Sequence, residues 1–131
     1  MIIFKFELES DTDVIIVNAT IQNKYKLRLA LDSATTHSTI DSNVLYFTGY
    51  ELKNSKGEFE VETANGIIIV ERYEIEEFEC LGIKKDNFEV QVYDFLSHGI
   101  ISDYDGVIGL DFLYKNKFCI DIKKKEINIE V

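Results

Sequence analysis

Proline is absent from the 131 residues, and glycine occurs only seven times. Turns must therefore rest on Asn, Asp, Ser and those few glycines. Cysteine is scarce: Cys80 and Cys119 stand far apart, outside any CxxC pair. They cannot make a zinc site alone. Two buried thiols in a reduced, cytoplasmic setting are the expectation. No apolar run approaches the ~20 residues of a membrane-spanning helix. The start, Met1-Ile2-Ile3-Phe4-Lys5-Phe6-Glu7, lacks the basic segment of a signal peptide. Positive charge is also short, with 14 Lys and Arg against 24 Asp and Glu, a formal charge of -10. Nucleic acid is thereby disfavoured as a partner, because its binders neutralise phosphates. An anionic membrane surface is disfavoured for the same reason.

What is present is a globular composition, 46% hydrophobic and 29% charged, at a length that fits one domain over residues 1–131. Alternation and β-branched residues dominate. Strands are expected over residues 2–8, 14–21 and 25–31, with a polar turn at Glu9-Ser10-Asp11-Thr12-Asp13 and another at Gln22-Asn23-Lys24. Residues 58–63 and 67–72 flank Ala64-Asn65-Gly66, and an Asn-Gly between two β-rich runs signals a hairpin. Residues 73–80 and 88–93 alternate again, with a turn expected over 81–87, and 118–122 with 126–131 read as a last hairpin. Asn43-Val44-Leu45-Tyr46-Phe47 reads equally as a short helix or a strand. Leu110, Leu113 and Tyr114 recur at i, i+3 and i+4, which predicts one short helix over 110–116. Many short strands with one late helix predict an all-β barrel or sandwich.

One constellation carries chemistry. Leu29-Ala30-Leu31 ends in Asp32, followed by the small residues Ser33, Ala34 and Thr35. A carboxylate placed at the end of an apolar strand must accept hydrogen bonds, share a proton or stay wet. Two such carboxylates facing each other share one proton and can activate a water between them. Asp11-Thr12 and Asp41-Ser42 lack the preceding apolar strand and read as turns.

The run Leu31-Asp32-Ser33-Ala34-Thr35-Thr36-His37-Ser38-Thr39-Ile40 resembles the catalytic loop of retropepsin-like aspartic proteases. About 75 residues on, Asp105-Gly106-Val107-Ile108-Gly109-Leu110-Asp111-Phe112-Leu113 resembles the same family's hydrophobic-hydrophobic-Gly segment and its short helix. The resemblance covers residues 14–131 in order. It implies an all-β acid-protease barrel with one short C-terminal helix and a flap hairpin, and no metal or organic cofactor. Asp32 would be the catalytic acid, with Ser33, Ala34 and Thr35 supporting its loop. Val107, Ile108 and Gly109 would thread beside that loop, and Thr63, Ala64, Asn65 and Gly66 would form the flap over an extended peptide or protein substrate.

Only one Asp-Ser-Ala triplet exists, so the chain supplies one such carboxylate, and a pair implies a homodimer with Asp32 of each copy at the two-fold axis. The terminal strands would add to that contact. Ala34 stands where the family usually has Gly, a residue that reaches backbone angles Ala avoids. An alternative is therefore a dimer of the same fold that grips a peptide without cutting it. A small-molecule barrel without the late Gly-helix segment is a third class. His37 and His98 read as surface or structural, the Glu-rich run 71–79 as a solvated strand edge, and Lys123-Lys124-Lys125 as a charged turn.

Overall fold

The computed structural model describes residues 2–9, 14–51, 55–64 and 66–130. The expected turn residues Ser10, Asp11, Thr12 and Asp13, the hairpin residue Asn65, and the chain ends Met1 and Val131 lie outside the described residues. The strands are β1 (Ile2–Lys5), β2 (Glu7–Leu8), β3 (Ile15–Ile21), β4 (Tyr25–Leu31) and β5 (Thr39–Asp41), followed by helix α1 (Ser42–Thr48). Then come β6 (Glu58–Thr63), β7 (Gly66–Cys80), β8 (Ile83–Tyr93), a 3₁₀ turn (Leu96–His98) and β9 (Gly106–Ile108). Helix α2 (Leu110–Leu113), β10 (Lys117–Asp121) and β11 (Glu126–Glu130) complete the chain.

Alternating apolar residues explain the layout. Strand order β2-β3-β4-β9-β5-β8-β7-β6, with β3 also paired to β7, closes six strands into a barrel and leaves β2 and β6 as appendages. The inward residues Val17, Ala19, Ile21, Leu27, Leu29, Ile40, Ile75, Val90, Val92 and Ile108 fill it. A second sheet, β1-β11-β10, packs Ile127 and Ile129 onto this core. The structure is thus the expected mostly β barrel.

Several local expectations shift. The run 2–8 splits at Phe6, which leaves the strand to bury its ring. The turn expected over 81–87 contracts to Leu81 and Gly82, both at positive φ, so β7 and β8 become one long hairpin. The ambiguous segment 43–47 is helical: the Asp41 carboxylate accepts from the Asn43 N–H, and Gly49 closes α1 in a left-handed conformation. Helix α2 is a single turn. Phe112, rather than the Leu110/Tyr114 stripe, enters the core, where it meets Phe78 and Phe88 with ring centroids 5.7 Å from each. Cys80 is buried, and burial pushes its thiol up to about 12. Cys119 is exposed, contrary to expectation, because it lies on β10, whose other long edge has no partner among the described residues.

Candidate active site

The barrel places residues 32–38 at a crossing. Strand β4 leads into this loop and β5 leads out, and β9 runs between them, parallel to β4 and antiparallel to β5. The Asp32 N–H donates to the Ile108 carbonyl at 3.1 Å, extending the ladder to the carboxylate-bearing residue. Asp32 is half-buried. One carboxylate oxygen accepts from the Ala34 N–H at 2.9 Å and the other from the Thr35 hydroxyl at 2.7 Å. The loop thus orients its own acid through backbone and hydroxyl donors. Ala34 has a negative φ, so the conformation reserved for glycine is not required of it.

A buried brace holds the loop from behind. The Ser38 hydroxyl donates to Asp111 at 2.7 Å and accepts from the Gly109 N–H at 2.9 Å. The Ser38 N–H donates to the other Asp111 oxygen at 2.9 Å. The Leu110 N–H donates to the Thr35 carbonyl at 2.8 Å. This approach needs glycine at 109: a Cβ there would lie 2.6 Å from the Thr35 oxygen. Gly106 is equally confined, against the Thr39 carbonyl. The two motifs read from the sequence, 31–40 and 105–113, are therefore brought together. The sequence reading quoted Ser38 and Asp111 within those motifs without giving them a role.

Two concavities flank the loop. On one side a cavity of about 520 Å³ is lined by Ala34, Thr35 and His37 of the loop, by Val61, Thr63, Ile68 and Arg72 of the β6–β7 hairpin, and by Gln91, Tyr93 and Val107. Burial first, then the carboxylate of Asp41 and the phenol of Tyr104, raise the Tyr93 phenol above its ordinary value. On the other side an apolar groove of about 390 Å³ contains Leu31, Ser33, Leu110, Leu113 and Tyr114. Leu110 and Tyr114 of the helical stripe are exposed at this groove, whereas Leu113 also belongs to the core. Ser33 is exposed there, and the loop separates it from the cavity that Ala34 and Thr35 line.

Thr63, Ala64 and Gly66 are exposed at the end of the β6–β7 hairpin, where the Thr63 hydroxyl donates to the Gly66 carbonyl at 2.8 Å. Of the expected hairpin set, Thr63 alone lines the cavity; Asn65 lies outside the described residues. His37 is exposed, with Nδ1 3.1 Å from the Thr36 hydroxyl. Among the described residues no three His, Cys, Asp or Glu side chains gather as metal ligands, and no helix is long and apolar enough to cross a membrane. Arg72, Gln91 and Tyr93 had no sequence signal, because only the sheet register brings them to the cavity.

Comparison with known proteins agrees with this fold. No curated protein sequence matches the chain. Among solved structures, the chain is similar to a retropepsin-like aspartic protease from Rickettsia conorii, with a TM-score of 0.65 and 20% identity, over 96% of this chain and 86% of that one. At that identity the likeness concerns the fold. A profile of aspartyl proteases matches residues 17–112, which span the Asp32 loop, the hairpin and the β9–α2 segment. The chain belongs to the aspartyl protease family.

Proposed function

We propose that the chain, as one domain over residues 1–131, is a subunit of a homodimeric aspartic endopeptidase that acts on extended peptide or protein substrates. One observation carries the reading: the half-buried Asp32 carboxylate is fixed by Ala34 and Thr35, and its loop neighbours Ala34 and Thr35 line the 520 Å³ cavity while Leu31 and Ser33 line the apolar groove. A substrate chain suits the cavity. A second copy suits the groove, because the chemistry needs a second carboxylate and the chain offers only one Asp-Ser-Ala loop. Two Asp32 residues then share one proton. One takes a proton from the water as it attacks the scissile carbonyl, and the other donates to the carbonyl oxygen. Ser33, on the groove side, cross-braces the two loops of the dimer. The β6–β7 hairpin, with Thr63, Ala64, Asn65 and Gly66, acts as the flap that closes over the substrate and excludes water. Val107, Ile108 and Gly109 hold the catalytic loop from below.

The apolar contact must outweigh the repulsion of two chains of charge -10 each. Added salt therefore tightens the dimer, which sedimentation at two ionic strengths reads. The enzyme reading is tested by incubating the protein with a denatured protein substrate. Cleavage that a statine-type inhibitor blocks, and that Asp32→Asn abolishes, supports it. Cleavage unchanged in Asp32→Asn contradicts it, and peptide binding without cleavage by the wild type favours a binding module.

A further inference from the structure

Sheet register builds one wall of the cavity from three polar residues. Arg72 lies directly opposite Gln91 on β8, and Gln91 lies opposite Thr39 on β5. Alternation puts Ile68 and Tyr93 on the same face, with Val61 opposite Ile68. Two of the polar groups lack a side-chain hydrogen bond among the described residues, although Arg72 keeps Glu89 as an ion-pair neighbour. The Gln91 side chain makes no hydrogen bond among the described residues, although the residue is only 6% exposed. The Nε of Arg72 is buried and has no hydrogen-bond acceptor. Glu89 is 3.9 Å from that nitrogen, beyond hydrogen-bond range, and its other oxygen is 3.8 Å from Lys56. The guanidinium lies over Phe59, with its carbon 3.9 Å from the ring centroid.

An unpaired buried donor such as the Arg72 Nε is costly unless a ligand supplies the acceptor. The remaining charged and titratable neighbours do not supply one. Glu60 and Glu62 border the cavity from β6, but they pair with the exposed Ile69 and Ile67 on the opposite face of the hairpin. His37 lies at the loop end of the cavity and is exposed. The Tyr93 phenol stays protonated at neutral pH and can donate. Ala34, Val61, Ile68 and Val107 supply apolar walls between these donors and the Asp32 loop.

We infer that this cavity selects a substrate side chain ending in a carboxylate, glutamate above all, with Arg72 as the specificity-determining residue and Gln91 and Tyr93 as additional donors. The inference rests on the peptidase reading of the same site and names its substrate class. The methylenes of a glutamate pack on the apolar walls, and its carboxylate receives the guanidinium, amide and phenol hydrogens. A lysine brings a second cation to the guanidinium, and a glutamine loses the charge-assisted part of the contact. Glutamate is expected to be favoured over glutamine by about 10- to 100-fold, the range of a charged hydrogen bond.

The test uses a peptide library digested by the wild-type protein, then matched peptides carrying Glu, Gln, Ala or Lys at the selected position. The expected result is acidic enrichment at one position beside the cleaved bond. In Arg72→Met and in Arg72→Gln the Glu-over-Gln ratio of kcat/KM collapses toward unity, with the Glu peptide losing more than the Gln, Ala or Lys peptide. A structural loss would lower all four peptides together. Absence of acidic enrichment, or an unchanged ratio in both variants, overturns the inference. Calorimetric binding of the same peptides separates the two claims. Glu-selective binding without cleavage rejects the peptidase and keeps the role of Arg72, cleavage without Glu preference rejects that role alone, and neither binding nor cleavage rejects both.

Discussion

The Asp32 loop and the β6–β7 hairpin face each other across one cavity, but they are held in opposite ways. The loop is pinned on both sides by β9 and from behind by the Ser38–Asp111–Gly109 brace, with Ser38 only 1% exposed. The hairpin is paired internally, β6 to β7, and β6 has no other strand partner among the described residues. Its end carries exposed Thr63, Ala64, Gly66 and Ile67. Chemistry that depends on the position of a carboxylate needs the first kind of construction. A cover that must admit a peptide needs the second, because local opening is cheapest where few buried contacts hold a segment.

Substitutions should therefore separate the two regions. The largest effect is expected from Asp32→Asn, which lowers cleavage by about 10²–10⁴-fold or more while leaving the thermal midpoint nearly unchanged. Retained activity would break the contrast at its centre. Next is Gly109→Ala, whose methyl meets the Thr35 carbonyl. It should cost about 1–3 kcal/mol in denaturant unfolding, and cleavage should fall as the loop moves. Ser38→Ala leaves the Gly109 N–H without its acceptor and removes one of the two donors to Asp111 Oδ1. Its expected cost is also about 1–3 kcal/mol, toward the lower end because Asp111 keeps other donors. On the hairpin, Ile67→Ser and Ile69→Ser change exposed positions and should stay within about 0.5 kcal/mol in stability. Any loss there should appear in kcat/KM alone. A comparable loss of stability would mean that the hairpin is as firmly held as the loop.

Alkaline pH offers a smaller effect, at a point inside the core. Burial raises the Cys80 thiol to about 12, above the value it has when unfolded. The unfolded chain therefore releases that proton first as pH rises, and stability falls between roughly pH 9 and 12. Cys80→Ala should flatten that decline, measured against pH in denaturant, even if it lowers stability throughout. Thiol labelling should modify exposed Cys119 in the native protein and Cys80 only on unfolding.

The loop was legible where backbone geometry dictates residue type. An acid after an apolar strand and glycines at tight crossings leave traces in a sequence, as Asp32, Gly106 and Gly109 do. The brace was not legible, because Ser38 and Asp111 are 73 positions apart and meet only when β9 threads between β4 and β5. Helix α1 carried its caps, Asp41 and Gly49, but its aromatic residues made strand and helix equally plausible. The apolar stripe of Leu110, Leu113 and Tyr114 was legible, but not its division: Leu113 joins Phe112 in the core, while Leu110 and Tyr114 are exposed beside the groove. Strand β10 misled for a related reason: Cys119 and Ile120 are both exposed, so alternation does not distinguish its faces.

The central claim is that one functional centre needs Asp32 from two chains. Mixing wild-type and Asp32→Asn protein at fixed total concentration, with time to exchange subunits, tests it directly. If each centre takes one carboxylate from each copy, activity follows the square of the wild-type fraction, so an equal mixture retains about a quarter of the starting rate. Activity that falls in direct proportion to the wild-type fraction, leaving half the rate in that mixture, would mean that a single chain suffices and would contradict the account.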